Sequence, residues 1–289
     1  MKKLLWIVWC GSVLAAPDIR TIKPDLKVPP LAKGKPAPGQ RVKGTHPDWQ
    51  GKAVYHVLYL PADWQPSKKF PVIVEFAGNG PYRSPFGDVS TGHPEASKMG
   101  YGISGGKGYI WLCLPYLNDA GQQNVTQWWG NAPRRNAGPT VAYAKKTVPW
   151  ICQQFGGDPQ RIVLCGFSRG AIACNFIGLH DDEIAKLWRA FIPYSHYDGV
   201  HRWGYPSGDR SSALLRLKRL GNRPQFICHE NSEGRLNLKA TRKYLKNTGV
   251  KSKFTFCETG YRNHNDAWLL RPGPVRIALR NWLTEVMAD

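Results

Sequence analysis

Long hydrophobic runs are scarce in this 289-residue sequence. The apolar stretch Leu4 to Trp9 is too short to cross a bilayer comfortably, and Ala16-Pro17 breaks the pattern that follows it. No other segment approaches the length of a membrane-spanning helix. Internal repeats at solenoid or propeller spacing are also missing. No C-x-x-C or His/Cys cluster has the spacing of a metal site, and nothing resembles a helix-turn-helix, zinc finger or RNP motif. Acidic residues are few: 20 Asp and Glu face 40 Lys and Arg, for a formal charge of +20. Such a field favours polyanionic surroundings. The densest basic segments, Arg216 to Arg223 and Arg235 to Lys246, read first as solvated helix faces and not as a specific nucleic-acid groove. Hydrophobic content of 42% with 12% aromatics excludes a disordered or fibrous chain.

The N-terminus has the organisation of a signal peptide. Lys2 and Lys3 precede the apolar run, and Val13, Leu14 and Ala15 form a small-residue cleavage site. Residues 1–15 are therefore expected to be removed, leaving a secreted or periplasmic protein that begins near Ala16. An uncleaved anchor suits the short run less well, and Cys10 is a poor lipid acceptor behind the bulky Trp9. Cleavage leaves six cysteines: Cys113, Cys152, Cys165, Cys174, Cys228 and Cys257. Export permits disulfides, but four of these lie in apolar runs with the character of central strands, which favours buried thiols.

Residues 16–52 are rich in Pro, Gly and Lys and lack a sustained apolar period, so an extended linker or arm is expected there. The folded domain is expected to start near Ala53 and run to residue 289. Strands are expected at Ala53 to Leu60, Val72 to Phe76, Tyr109 to Leu114, Ile162 to Cys165, Ala190 to Pro193, Gln225 to Cys228 and Lys253 to Cys257. Helix-length segments fill most of the gaps: Thr140 to Phe155, Ser211 to Leu220, Leu236 to Leu245 and Val275 to Met287. This alternation predicts an α/β fold, a mostly parallel sheet covered by helices on both faces, with chemistry at the carboxyl edge of its strands.

The strongest local signal is Gly166-Phe167-Ser168-Arg169-Gly170, placed between the apolar run Arg161 to Cys165 and the helix-forming Ala171 to Cys174. Strand, tight turn and helix follow in the order of a nucleophile elbow, in which the glycines allow a sharp turn and the serine hydroxyl projects from the sheet edge. The stretch Asp158 to Ile162 leading into Gly166 to Ala171 resembles the corresponding segment of α/β-hydrolase esterases and prolyl-oligopeptidase-like hydrolases. The similarity in strand order runs from about Ala53 to the C-terminus, and it identifies a superfamily better than a substrate.

That resemblance implies Ser168 as nucleophile and a triad in the order Ser, acid, His. His264 fits the last place, in the loop after the final strand, better than His180, His196, His201 or His229. The family's acid loop often reads His-Gly-x-x-Asp, which superposes on His229 to Glu233 and implies Glu233 as the acid. Glu230 stays open, since Glu233 replaces the commoner aspartate and Glu230 stands in the usual glycine position. Asp266 reads as a helix cap or loop brace. For the oxyanion hole the resemblance implies the Arg169 N–H and one N–H of the loop Ala77 to Pro81, with Gly78, Asn79 and Gly80 all open.

Two loops rich in aromatics and arginine, with Trp128-Trp129 and Arg134-Arg135 in one and Tyr194, Tyr197, Trp203 and Tyr205 in the other, are expected at the same edge. They suit a small-molecule or polysaccharide ester substrate, although simple loop packing accounts for them equally well. The expected activity is carboxylic ester hydrolysis through an acyl-enzyme on Ser168, with no metal or organic cofactor. A peptidase variant would use the same residues, but the prolyl-oligopeptidase type carries a large propeller for which residues 17–52 leave no room. A non-catalytic member of the fold that binds an extracellular polyanion is the reading from another class.

Overall fold

The computed structural model describes residues 16–232 and 234–288. The expected signal peptide and Glu233 lie outside them. Nine strands form the main sheet: β1 (Leu31–Ala32), β2 (Arg41–Gly44), β3 (His56–Tyr59), β4 (Phe70–Phe76), β5 (Ile110–Leu114), β6 (Gly157–Phe167), β7 (Ala190–Tyr194), β8 (Gln225–His229) and β9 (Phe254–Glu258). Their spatial order is β1-β2-β3-β5-β4-β6-β7-β8-β9. The pairings from β5 through β9 are parallel, and β3 joins them antiparallel to both β2 and β5. The helices are α1 (Met99–Ser104), α2 (Gly138–Phe155), α3 (Arg169–Phe176), α4 (Asp182–Ala185), α5 (Arg210–Lys218), α6 (Leu238–Thr248) and α7 (Pro274–Ala288).

The apolar strands bury both faces, as a sheet with helices on either side requires. Val72, Val74 and Phe76 of β4 share one core with Leu112, Leu164, Ile172 and Val148, whereas Ile73 of the same strand packs on the other side with Trp111, Val163 and Leu279. α2 stops where expected: Gly156 takes a left-handed φ of 72° and its N–H caps the Cys152 carbonyl. α7 buries Leu279, Leu283 and Met287, four residues apart, on a single stripe. The six described cysteines are free thiols, five of them buried.

Two features depart from the sequence reading. Residues 16–52 are not a linker but part of the folded body: β1 and β2 extend the main sheet, Ile19 is 2% exposed, and Asp25 pairs with Arg276 of α7. This segment is held by single anchors set among prolines, so it shows no hydrophobic period. Second, the run Val72 to Phe76 contains a fully buried carboxylate. Glu75 accepts bonds from the N–H groups of Lys98 and Met99 (3.2 Å each) and Gly100 (2.8 Å), and from Trp111 Nε1 (2.8 Å). Burial pushes its pKa up to about 7, with the backbone donors at the start of α1 opposing the rise.

Candidate active site

The sharp turn after β6 is written into two glycines. A Cβ on Gly166 would lie 2.3 Å from backbone atoms of Gly170, and one on Gly170 would lie 2.0 Å from the Phe76 carbonyl oxygen. Only bare Cα atoms let α3 leave the sheet this closely. Between them Ser168 is held at φ 55°, ψ −113°, an unfavourable conformation for a residue with a side chain. Its N–H bonds to the Tyr194 carbonyl at 3.0 Å, which ties the turn to β7.

His264 reaches the same edge on a braced loop. Asn263 and Asn265, on either side of it, each donate to Asp88 Oδ1 at 3.0 Å, and the Tyr194 hydroxyl donates to the carbonyls of both. The N-terminal segment joins this brace, since the Ile19 N–H donates to Asn263 Oδ1 at 2.8 Å. The imidazole lies 4.6 Å, centroid to centroid, from the ring of Phe167, the residue before Ser168. Tyr82 packs edge-on against it at 5.3 Å. No hydrogen bond joins Ser168 Oγ to His264 in this structure; such bonds commonly tighten only with substrate present.

The carboxylate beside His264 belongs to Glu230. Its Oε1 lies 2.8 Å from His264 Nδ1, and its side chain is 7% exposed. Glu233, the acid implied by the resemblance, lies outside the described residues, so the described contact falls to the alternative. Glu230 follows directly on β8, whose last residue His229 is in register with Glu258 of β9, the strand that leads into the His264 loop. Burial by itself would raise the Glu230 pKa, but the hydrogen bond and charge of His264, and then the charge of His229, hold it at about 2. Asp266 sits two residues beyond His264 and pairs instead with Lys98 at 2.9 Å.

The N–H groups expected as oxyanion donors can be sorted by their occupancy. The Gly80 N–H is taken by the Thr126 carbonyl at 2.9 Å, whereas the N–H groups of Gly78, Asn79 and Arg169 have no acceptor among the described residues. The Arg169 side chain accounts for the shape of this region. It is 1% exposed and donates to the carbonyls of Trp128 (2.6 Å), Gly78 (2.9 Å) and Gly92 (3.0 Å). Its guanidinium lies 3.7 Å from the Tyr116 ring centroid, and the Tyr116 hydroxyl bonds the Ala77 carbonyl. Asn79 Oδ1 in turn accepts from the Trp128 N–H at 2.7 Å. Burial lowers the Arg169 pKa to about 10, which leaves it charged at neutral pH.

No protein-family model and no curated protein sequence matches this chain. Solved structures do. A thermostable esterase matches at 17% identity and a TM-score of 0.50, over 85% of this chain and 62% of that one. An acetyl ester-xyloside bifunctional hydrolase from Caldicellulosiruptor lactoaceticus matches at 14% identity and 0.53, over 88% and 98%. A protein assigned as a dipeptidyl aminopeptidase IV from Bacteroides ovatus matches at 17% and 0.56, over 85% and 35%. The chain has the α/β-hydrolase fold. It spans about three-fifths of the esterase and about a third of the peptidase.

Within this hydrolase fold the aromatic loops divide into core and rim. Trp129, Tyr194, Tyr197 and Tyr205 are buried, with Trp129 stacked on Phe176 at 4.3 Å, so these four are packing residues. Trp128 and Trp203 are half-buried and meet at 5.0 Å. From Trp203 the contacts run to His196 (5.7 Å) and on to His264 (5.2 Å), which places these two indoles on the rim beyond Phe167 and Tyr82, the rings that pack directly on the histidine. Arg134 pairs with Asp119. A cleft of about 1110 Å³ includes neither Ser168 nor His264. It lies at the opposite, amino edge of the sheet. Sequence reasoning missed Ser195 and the Arg169 side chain; a small polar residue directly after β7 was the only signal for the first.

Proposed function

We propose that this protein is a serine hydrolase acting on carboxylic esters through an acyl-enzyme on Ser168. The observation that carries the reading is the pairing of a strained elbow serine with a histidine whose Nδ1 faces a buried glutamate, both at the carboxyl edge of one sheet. With Nδ1 engaged by Glu230, the basic lone pair of His264 lies on Nε2, the nitrogen left for the Ser168 proton. Attack of Ser168 Oγ on the ester carbonyl forms a tetrahedral intermediate as His264 takes the proton. The negative oxygen is met by the free N–H groups of Arg169 and of Gly78 or Asn79. His264 then returns the proton to the leaving alcohol, and water repeats the sequence to release the acid. Glu230 stays ionised throughout and stabilises the imidazolium.

The esterase likenesses support an ester substrate, and the peptidase likeness keeps an amide as the competing one. A panel of acetyl, feruloyl and longer acyl esters, set beside dipeptidyl amides, tests the reading. Turnover of at least one ester by the wild type and its loss in Ser168→Ala support it; turnover of amides alone would reassign the substrate, and activity retained in Ser168→Ala would remove Ser168 from the mechanism. The half-exposed Trp128 and Trp203 favour aryl or sugar esters over long acyl chains.

A second reading concerns binding. Lys186, Arg189, Arg223, Lys251 and Lys253 line the cleft at the amino edge against one carboxylate, Glu285. None of the five is ion-paired among the described residues, and Arg223 is half-buried with only carbonyl partners. We propose that this cleft attracts a polyanion independently of the chemistry at the other edge. We also infer export, from the Lys2-Lys3 leader; a secreted product beginning near Ala16 in intact-mass analysis tests it.

A further inference from the structure

Ser195 follows β7 directly and holds a backbone conformation that residues other than glycine rarely adopt, φ 88°. It is fully buried, and its N–H bonds the Cys228 carbonyl at 2.9 Å, so the strain is locked in by the β7–β8 pairing. Its hydroxyl sits where three groups converge: Glu230 Oε1 at 3.1 Å, His264 Nδ1 at 2.8 Å and His196 Nδ1 at 3.3 Å.

The proton count at this point is restrictive. A hydroxyl has one hydrogen and two lone pairs, and an ionised carboxylate can only accept. The Ser195 hydrogen therefore goes to Glu230, and its lone pairs face the two histidines. The His264 Nδ1–H is shared between Glu230 Oε1 and Ser195 Oγ, each 2.8 Å away. His196, kept neutral because burial lowers its pKa to about 3, completes the set by donating from Nδ1. Glu230 Oε2 has no hydrogen-bond partner among the described residues, and its neighbour His229 Nδ1 stands off at 3.5 Å. Among the described residues, the carboxylate is held by Oε1 and its two contacts.

We propose that Ser195 is a positioning residue for the Glu230–His264 pair, its hydroxyl fixing where carboxylate and imidazole meet. The backbone strain is the cost of placing a hydroxyl at that point, where glycine would fit the fold more easily. This inference rests on the esterase reading for its kinetic consequence but not for its geometry.

The test compares Ser195→Gly with Ser195→Ala in the full chain. Both remove the hydroxyl; only glycine relieves the φ. Ser195→Gly is expected to melt above Ser195→Ala, while both lose about tenfold in kcat on an aryl acetate, with KM within about twofold of wild type. The low-field NMR resonance of the His264 Nδ1 proton is expected to move in both variants. If kcat follows stability instead, so that Ser195→Gly matches the wild type and the resonance stays in place, the proposal is overturned. If the wild type turns over no ester, the functional reading fails, and the resonance alone decides whether Ser195 holds the pair.

Discussion

The two edges of the sheet make their turns differently. At the amino edge the left-handed positions are glycines, including Gly156, Gly221 and Gly249. At the carboxyl edge the chain forces residues with side chains into positive φ: Trp128, Arg135, Ser168, Ser195 and Ser207. Each such residue costs on the order of 1–3 kcal/mol and persists only where its surroundings over-determine it. Here those surroundings are hydrogen bonds to Arg169, to Asn79 and between β7 and β8. One edge is therefore cheap, basic and open, and the other is strained, closely bonded and built around Ser168 and His264. Side-chain chemistry of the kind proposed at the carboxyl edge would accept strain that attraction of a polyanion at the amino edge would not require.

The largest effect that would break this contrast is at the elbow itself. Ser168→Gly is expected to abolish ester turnover, by about 10³-fold or more, while raising stability by about 1 kcal/mol as the φ is relieved. Turnover assays beside urea unfolding check both halves; a destabilised Ser168→Gly would mean that the turn is not strained.

Next is the acid. Glu230→Gln is expected to lower kcat by two to three orders of magnitude, roughly, and Glu233→Gln to leave it near wild type. The reverse outcome would transfer the role to Glu233. Glu230 also marks stability with pH. Its folded pKa of about 2 lies below the ordinary 4.5, so the unfolded chain binds the proton more readily. Its contribution is present above pH 4.5 and lost as pH falls through 2. The stability gap between wild type and Glu230→Gln, followed by urea unfolding, should therefore close on acidification.

Arg169 sharpens the comparison at intermediate size. Arg169→Met strips donors from three carbonyls, two of them buried, and is expected to cost on the order of 3 kcal/mol, with kcat reduced about tenfold as the Gly78 loop loosens. Turnover equal to wild type at a temperature where the variant is folded would show that the loop needs no clamp. The smallest effect on activity is at the other edge. Lys251→Glu with Lys253→Glu should leave ester turnover unchanged and lower the salt needed to elute the protein from a sulfated-polysaccharide column. A loss of turnover would couple two edges that the account keeps separate.

How much of this was legible in sequence follows the same division. The elbow could be read because its requirements are local: two glycines four residues apart, a strand before and a helix after. The β4 to β9 strands and the long helices were readable from apolar runs and glycine stops. The carboxylate beside His264 was legible only as an alternative: a loop motif favoured Glu233, which lies outside the described residues, whereas the contact described follows from the β8–β9 register that brings Glu230 to the returning His264 loop. Residues 16–52 have the composition of an arm, in which nothing announces that Ile19 and Pro17 bond the segment around His264. Glu75 was invisible for a related reason: the four N–H groups that satisfy it come from residues 98–111.

The most direct test is covalent labelling by a fluorophosphonate, located by peptide mass spectrometry in wild type and Glu230→Gln. One adduct is expected, on the peptide carrying Ser168, formed far more slowly in Glu230→Gln. An unlabelled wild type, a label on another serine, or equal labelling of the two proteins would contradict that expectation.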